Sequence, residues 1–109
     1  MVEKRVICRE RVRQVPKQFS WVDHRLVRQE HVRRCDCRGL ALYLMLVTVG
    51  DAEGLSYYSD EKAAELLGIG IADLVAARRQ LLGADLIAYE RPIYQVLSLP
   101  VLLPQGGAA

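Results

Sequence analysis

Positive charge is the first chemistry that the residue order offers. Lys4, Arg5, Arg9, Arg11, Arg13 and Lys17 lie in a stretch that alternates cations with small apolar groups and ends at Pro16-Lys17-Gln18. No helical face repeats there, so residues 1–18 read either as a solvated leader or as an arm that grips phosphates. The charge is divided unevenly along the chain. Residues 1–34 carry ten Lys/Arg and four Asp/Glu, a balance of +6, and residues 35–109 carry five and nine, a balance of −4, which together make the net +2. Any polyanion is therefore drawn to the N-terminal third.

The other reactive side chains form weaker patterns. Cys35, Cys37 and His31, completed by Cys8 or His24, are the one conceivable zinc set. The Cys-x-Cys gap is narrower than zinc motifs use and no second matched pair follows, so free thiols are the better reading. Three cysteines without an even framework point to a reducing compartment. His24 and His31 have no companion nucleophile motif, there is no phosphate-binding loop, and Gly68-Ile69-Gly70 is too short for a dinucleotide fingerprint. The expectation is a protein with no enzymatic site, no metal and no cofactor. Trp21 and the five tyrosines offer faces for unpaired bases, but their helix and strand spacing assigns them to the core or to partner contacts.

The elements that must position these groups fit one domain. At 109 residues, half of them apolar, there is material for one modest core. The N-terminus never reaches an apolar signal core, and Leu40–Val49 is about half of the ~20 residues that cross a bilayer. A cytoplasmic chain with no membrane partner is expected. Phe19–Asp23 alternates as a short strand, and Arg25–Arg34 follows as a weakly amphipathic helix. Arg38–Val49 is apolar on every side, which calls for a central pillar or a subunit contact. Gly50–Gly54 is a turn, Tyr57-Tyr58 a brief extended step, and Ser59 caps a helix over 60–67 whose first turn carries Asp60 and Glu61. Gly68 ends that helix and another spans 71–82. Residues 86–99 form a hairpin about Arg91-Pro92, with Trp21 and Tyr58 expected beside it, and 100–109 is a tail. The class is mainly α with a small β-hairpin wing.

The stretch from Ser59 to Leu99 carries the functional argument. Ala63, Ala64 and Gly68 are the small residues that let two helices cross closely, and Ile69 plugs the gap between them. The segment resembles winged helix-turn-helix regulators of the MarR and GntR type, whose second helix ends in a segment like Ala-Gly-Leu-Ile; here it is Ala84-Asp85-Leu86-Ile87. Asp in place of Gly is tolerable because it visits left-handed backbone more readily than most residues. With the Asp51–Gly54 turn and the Tyr57-Tyr58-Ser59 entry, residues 19–99 also resemble the N-terminal winged-helix domain of bacterial replication-initiation proteins of the DnaD type.

The resemblance implies double-stranded DNA as the ligand and a recognition helix over 71–82. Carried over by position, its outward residues are Ala72, Asp73, Ala76, Arg79 and Gln80, with Arg91 in the wing and the arm cations on phosphates. Arg79 and Gln80 are the base readers of that set. Arg78 lies on the Leu74/Leu81 side and is expected to fold over the core. Surplus apolar surface on 38–49 and on Val101-Leu102-Leu103 points to a homodimer. The alternative is a winged helix adapted to protein contacts within a replication or partition assembly.

Overall fold

The computed structural model describes residues 2–101; the Leu102-Leu103 pair of the expected tail lies outside them. The architecture is α+β, with four α-helices and one three-stranded antiparallel sheet among the described residues. The helices are α1 (Arg25–Arg28), α2 (Cys37–Val49), α3 (Asp60–Leu67) and α4 (Ile71–Gly83). The strands are β1 (Leu55–Tyr57), β2 (Ile87–Glu90) and β3 (Ile93–Val96), in the order β1-β3-β2.

α2 is the central pillar, touching α3, α4 and β3. Asp36 starts it, its carboxylate accepting from the backbone N–H groups of Arg38 at 2.9 Å and Gly39 at 3.4 Å. Leu42, Tyr43 and Leu46 face inward from α2 and meet Leu74, Ala77 and Leu81 of α4, Ala63 and Ala64 of α3, and Leu86 and Tyr94 of the hairpin. These side chains form one continuous core.

α3 begins where the sequence places it, with Ser59 Oγ accepting from the Lys62 N–H at 3.1 Å. It ends at Gly68, whose φ of 69° lies in the left-handed region that favours glycine. Ile69 then turns inward against the core, its N–H bonded to the Ala64 carbonyl at 3.1 Å, and α4 departs after Gly70. After α4 the chain reverses at Asp85, which adopts φ 61° as its residue type permits. The hairpin pairs Ile87 with Val96 through Glu90 with Ile93, and the Arg91-Pro92 bond at its tip is cis.

Three sequence expectations need correction. Phe19–Asp23 is not a strand: the third strand of the sheet is Leu55–Tyr57, which occupies the free edge of β3. Gly54 makes that pairing possible, because its φ is 82° and a Cβ there would stand 2.7 Å from the Val96 carbonyl oxygen. Arg25–Arg34 is not one helix. It breaks into α1 and a 3-10 turn, His31–Arg34, with Glu30 between them at φ 62°. Leu26 and His31 are both buried, yet five positions separate them, about 140° around a continuous helix. The break lets both face the core. The brief extended step lies at 55–57 rather than at Tyr57-Tyr58, although Tyr58 does sit at the hairpin, its N–H donating to the Pro92 carbonyl at 3.2 Å.

Residues 2–22 are exposed throughout and carry no regular secondary structure apart from a 3-10 turn at Arg9–Arg11. The radius of gyration is 16.4 Å, against about 13 Å for a compact chain of this length, as an arm lying off the core requires. No helix among the described residues is long and apolar enough to cross a membrane.

Candidate nucleic-acid interface

α4 presents three faces with different occupants. Leu74, Ala77 and Leu81 are fully buried. Arg78, on the same side, reaches under the hairpin: its guanidinium donates to Asp60 at 2.8 Å and to the Tyr94 hydroxyl at 3.0 Å, and lies 4.4 Å from the Tyr89 ring centre. Arg78 is a structural cation, as its position beside Leu74 and Leu81 foretells.

The second face packs on the start of α2. Asp73 accepts from the Arg38 guanidinium at 2.9 Å. Gln80 turns its side-chain oxygen onto the Asp36 backbone N–H at 2.8 Å. Arg38 also pairs with Asp36 at 2.9 Å, so Asp36, Arg38, Asp73 and Gln80 form one polar clasp between the two helices. The guanidinium of Arg38, and behind it the Gln80 amide, holds the Asp36 carboxyl well below the usual carboxylate range. Two residues assigned to the groove face are therefore engaged elsewhere. Gln80 is a half-buried clasp residue and not a free base reader, and the negative charge of Asp73 is paired with Arg38.

The third face is open. It consists of Ile71, Ala72, the half-buried Val75 and Ala76, Arg79 and Leu82. Arg79 makes no hydrogen bond or ion pair among the described residues. Small side chains around one long cation let a helix backbone approach a partner closely, and the same face carries little charge of its own. Arg91 is exposed at the hairpin tip.

The arm carries far more uncommitted charge than α4. Lys4, Arg5, Arg9, Arg11, Arg13 and Lys17 are all exposed, and none enters an ion pair among the described residues. Six uncommitted cations in fourteen positions are a strip of high positive potential whose only neighbouring acids are Glu3 and Glu10.

The cysteines and histidines do not assemble. No group of three or more metal-ligating side chains comes together among the described residues. Cys8 is on the arm and Cys37 is exposed, while burial pushes the Cys35 thiol up and away from reactivity. His31 is completely buried, and neither ring nitrogen has a hydrogen-bond partner there.

Sequence reasoning missed two features. The clasp was signalled only by an Asp before α2, and its partners lie 35 and 44 residues away, at Asp73 and Gln80. Trp21, assigned to core or partner contacts, and Phe19, read as the start of a strand, are 76% and 66% exposed. Comparison with known proteins finds no protein family that matches this chain, and no curated protein or solved structure with significant similarity to it.

Proposed function

We propose that this chain is a winged-helix DNA-binding protein, acting as a transcriptional regulator or a replication accessory factor. Its arm holds phosphates and its α4 makes a narrow contact in the major groove. The observation that carries the proposal is the set of six exposed arm cations that enter no ion pair among the described residues. Cations left free within the protein are available to displace counterions from a nucleic acid, and counterion release is the main source of sequence-independent affinity. Later in the chain come a helix, a three-residue turn, a second helix and a hairpin, the order in which a winged helix presents its reading element. Arg79 is then the base-reading side chain, with Ala72 and Ala76 suited to thymine methyl groups.

Deleting residues 1–18 tests the reading directly. Duplex affinity falls, and the slope of log affinity against log salt is reduced by up to about five, since each phosphate contact contributes about 0.9. Arg79→Ala instead relaxes sequence preference at a cost of roughly 1–3 kcal/mol. A full-length chain that shifts no duplex at low salt overturns the proposal.

A second reading, a winged-helix protein–protein module, is favoured by one observation. Ile71 and Leu82 on the open face of α4 are 43% and 42% exposed, and Leu66 on α3 is 52% exposed. Such side chains bind apolar partners better than phosphates. Failure of duplex binding, with Ile71→Asp or Leu82→Asp abolishing capture of a protein partner, selects this reading.

A further inference from the structure

Phe19 and Trp21 are the chain's single phenylalanine and single tryptophan, and both stand on the surface. Leaving rings of that size in water forgoes one of the largest burial gains available to a side chain. They do not dangle. Ser20 Oγ between them donates to the Thr48 carbonyl at 3.2 Å, and two residues on the Asp23 carboxylate receives the Arg25 backbone N–H at 2.8 Å and its guanidinium at 2.7 Å. The segment is thus tied across the end of α2, and both rings line a cleft of about 580 Å³. Its opposite walls are Tyr43 and Leu46 of α2 and the Val96–Leu99 segment that leaves β3.

We infer that this cleft binds single-stranded DNA, with unpaired bases stacking on Trp21 and Phe19 while the arm cations hold the backbone that leads into it. Lys17 stands two positions before Phe19, so the last arm cation and the first ring are continuous along the chain. Cations followed by open aromatic faces match a polyanion that carries flat apolar rings, and a single strand is such a polymer. A duplex is not, because its base faces are covered by their neighbours in the stack. The volume lies within the ~300–1,000 Å³ of small-ligand pockets and admits a nucleobase. Charge also orients the strand. Three carboxylates line the cleft: Asp23, which is paired with Arg25, and Asp51 and Glu53 on the turn, which repel phosphates, so the backbone runs toward the arm and the bases point at the rings. The inference rests on the arm's role proposed above and is independent of any groove contact by α4.

Trp21 is its own reporter, since no other tryptophan contributes emission. The full chain is titrated at low salt with an oligothymidylate of about 20 nucleotides, a length that exceeds the site of one small domain. The expected result is saturable quenching of Trp21. With a labelled oligothymidylate, affinity falls about ten-fold or more in Trp21→Leu and in Phe19→Leu, as loss of a stacked base predicts. Tyr57→Leu, which removes a 77% exposed ring on β1 outside the cleft, binds like the unaltered chain. All three residues are exposed, and unchanged circular-dichroism melts verify that the variants fold. Affinity indifferent to both Trp21→Leu and Phe19→Leu overturns the inference. Emission that responds to protein concentration and not to the oligonucleotide also overturns it, by assigning the rings to a second copy of the chain. Duplex binding retained without Trp21 quenching removes the single-strand site alone, whereas loss of both removes the arm's role as well.

Discussion

Arg78 shows how much one side chain in this small core decides. Its side chain is 13% exposed and it serves a carboxylate, a phenol and an aromatic face at once. Burial acts to lower its affinity for the proton, but the bonds to Asp60 and Tyr94 outweigh that and the guanidinium stays charged. Arg78→Met leaves Asp60 and the Tyr94 hydroxyl without their partner and is expected to cost about 2–3 kcal/mol in urea denaturation. Arg78→Lys recovers only part, because an ammonium on a flexible stem cannot reproduce the planar fork. The acid limb of stability belongs to two carboxylates. Arg25 bonds hold Asp23 at about 2, and Arg38 holds Asp36 lower still. Both sit below their unfolded value near 4, so the unfolded chain binds protons first as pH falls. Their contribution is whole above about pH 4 and is lost progressively as pH falls, to about pH 2 for Asp23 and further down for Asp36. Melting temperature followed from pH 5 to pH 2 should fall, and Asp23→Asn combined with Asp36→Asn should flatten that fall while Asn retains the capping bonds.

At the scale of elements, the turn between α3 and α4 separates two uses of glycine. Gly68 has a positive φ, and a Cβ added there would meet no neighbour within 4 Å, so Gly68→Ala is opposed by backbone strain alone. The expected cost is about 1–2 kcal/mol. Gly70 has φ −77° and open space, and it precedes α4 with no side-chain cap. Gly70→Ser adds that cap and restricts the unfolded chain, for a gain of up to about 1 kcal/mol. Thermal or urea unfolding of the two variants should therefore move in opposite directions. Both effects were readable from the residues, because caps and turns are local. The clasp was not, since nothing near Asp73 or Gln80 in sequence announces that Arg38 and Asp36 will lie against them.

For the whole molecule, the surplus apolar surface of α2 persists after folding. Leu44 is 62% exposed and Val49 37%, and the Phe19–Val22 segment that crosses this end leaves its own side chains open. A pairing of two copies along the Leu44 side of α2, the dimer expected from the sequence, would bury that stripe. Sedimentation at micromolar concentration is expected to give a mass near twice 12.3 kDa, and Leu44→Asp is expected to return it to the single-chain value. A single-chain mass independent of concentration in the unaltered protein ends the dimer reading.

What the sequence alone determined is what neighbouring residues enforce on one another. Ser59 and Gly68 bound α3, Asp85 reverses the chain after α4, and Arg91-Pro92 sits at the tip of the hairpin, each within a residue or two of the expected place. The inward course of Arg78 followed from helical spacing beside Leu74 and Leu81. Tertiary structure decided where surfaces compete for the same neighbour. β1 took the edge of β3 and left Phe19–Asp23 without a strand to pair with; the core claimed both Leu26 and His31 and broke the helix between them. The start of α2 drew Asp73 and Gln80 from the open face of α4, leaving Arg79 as its one uncommitted cation among the described residues. Each of these outcomes depends on which element arrives at a shared surface, and that is a property of the assembled chain, which no window of its sequence contains.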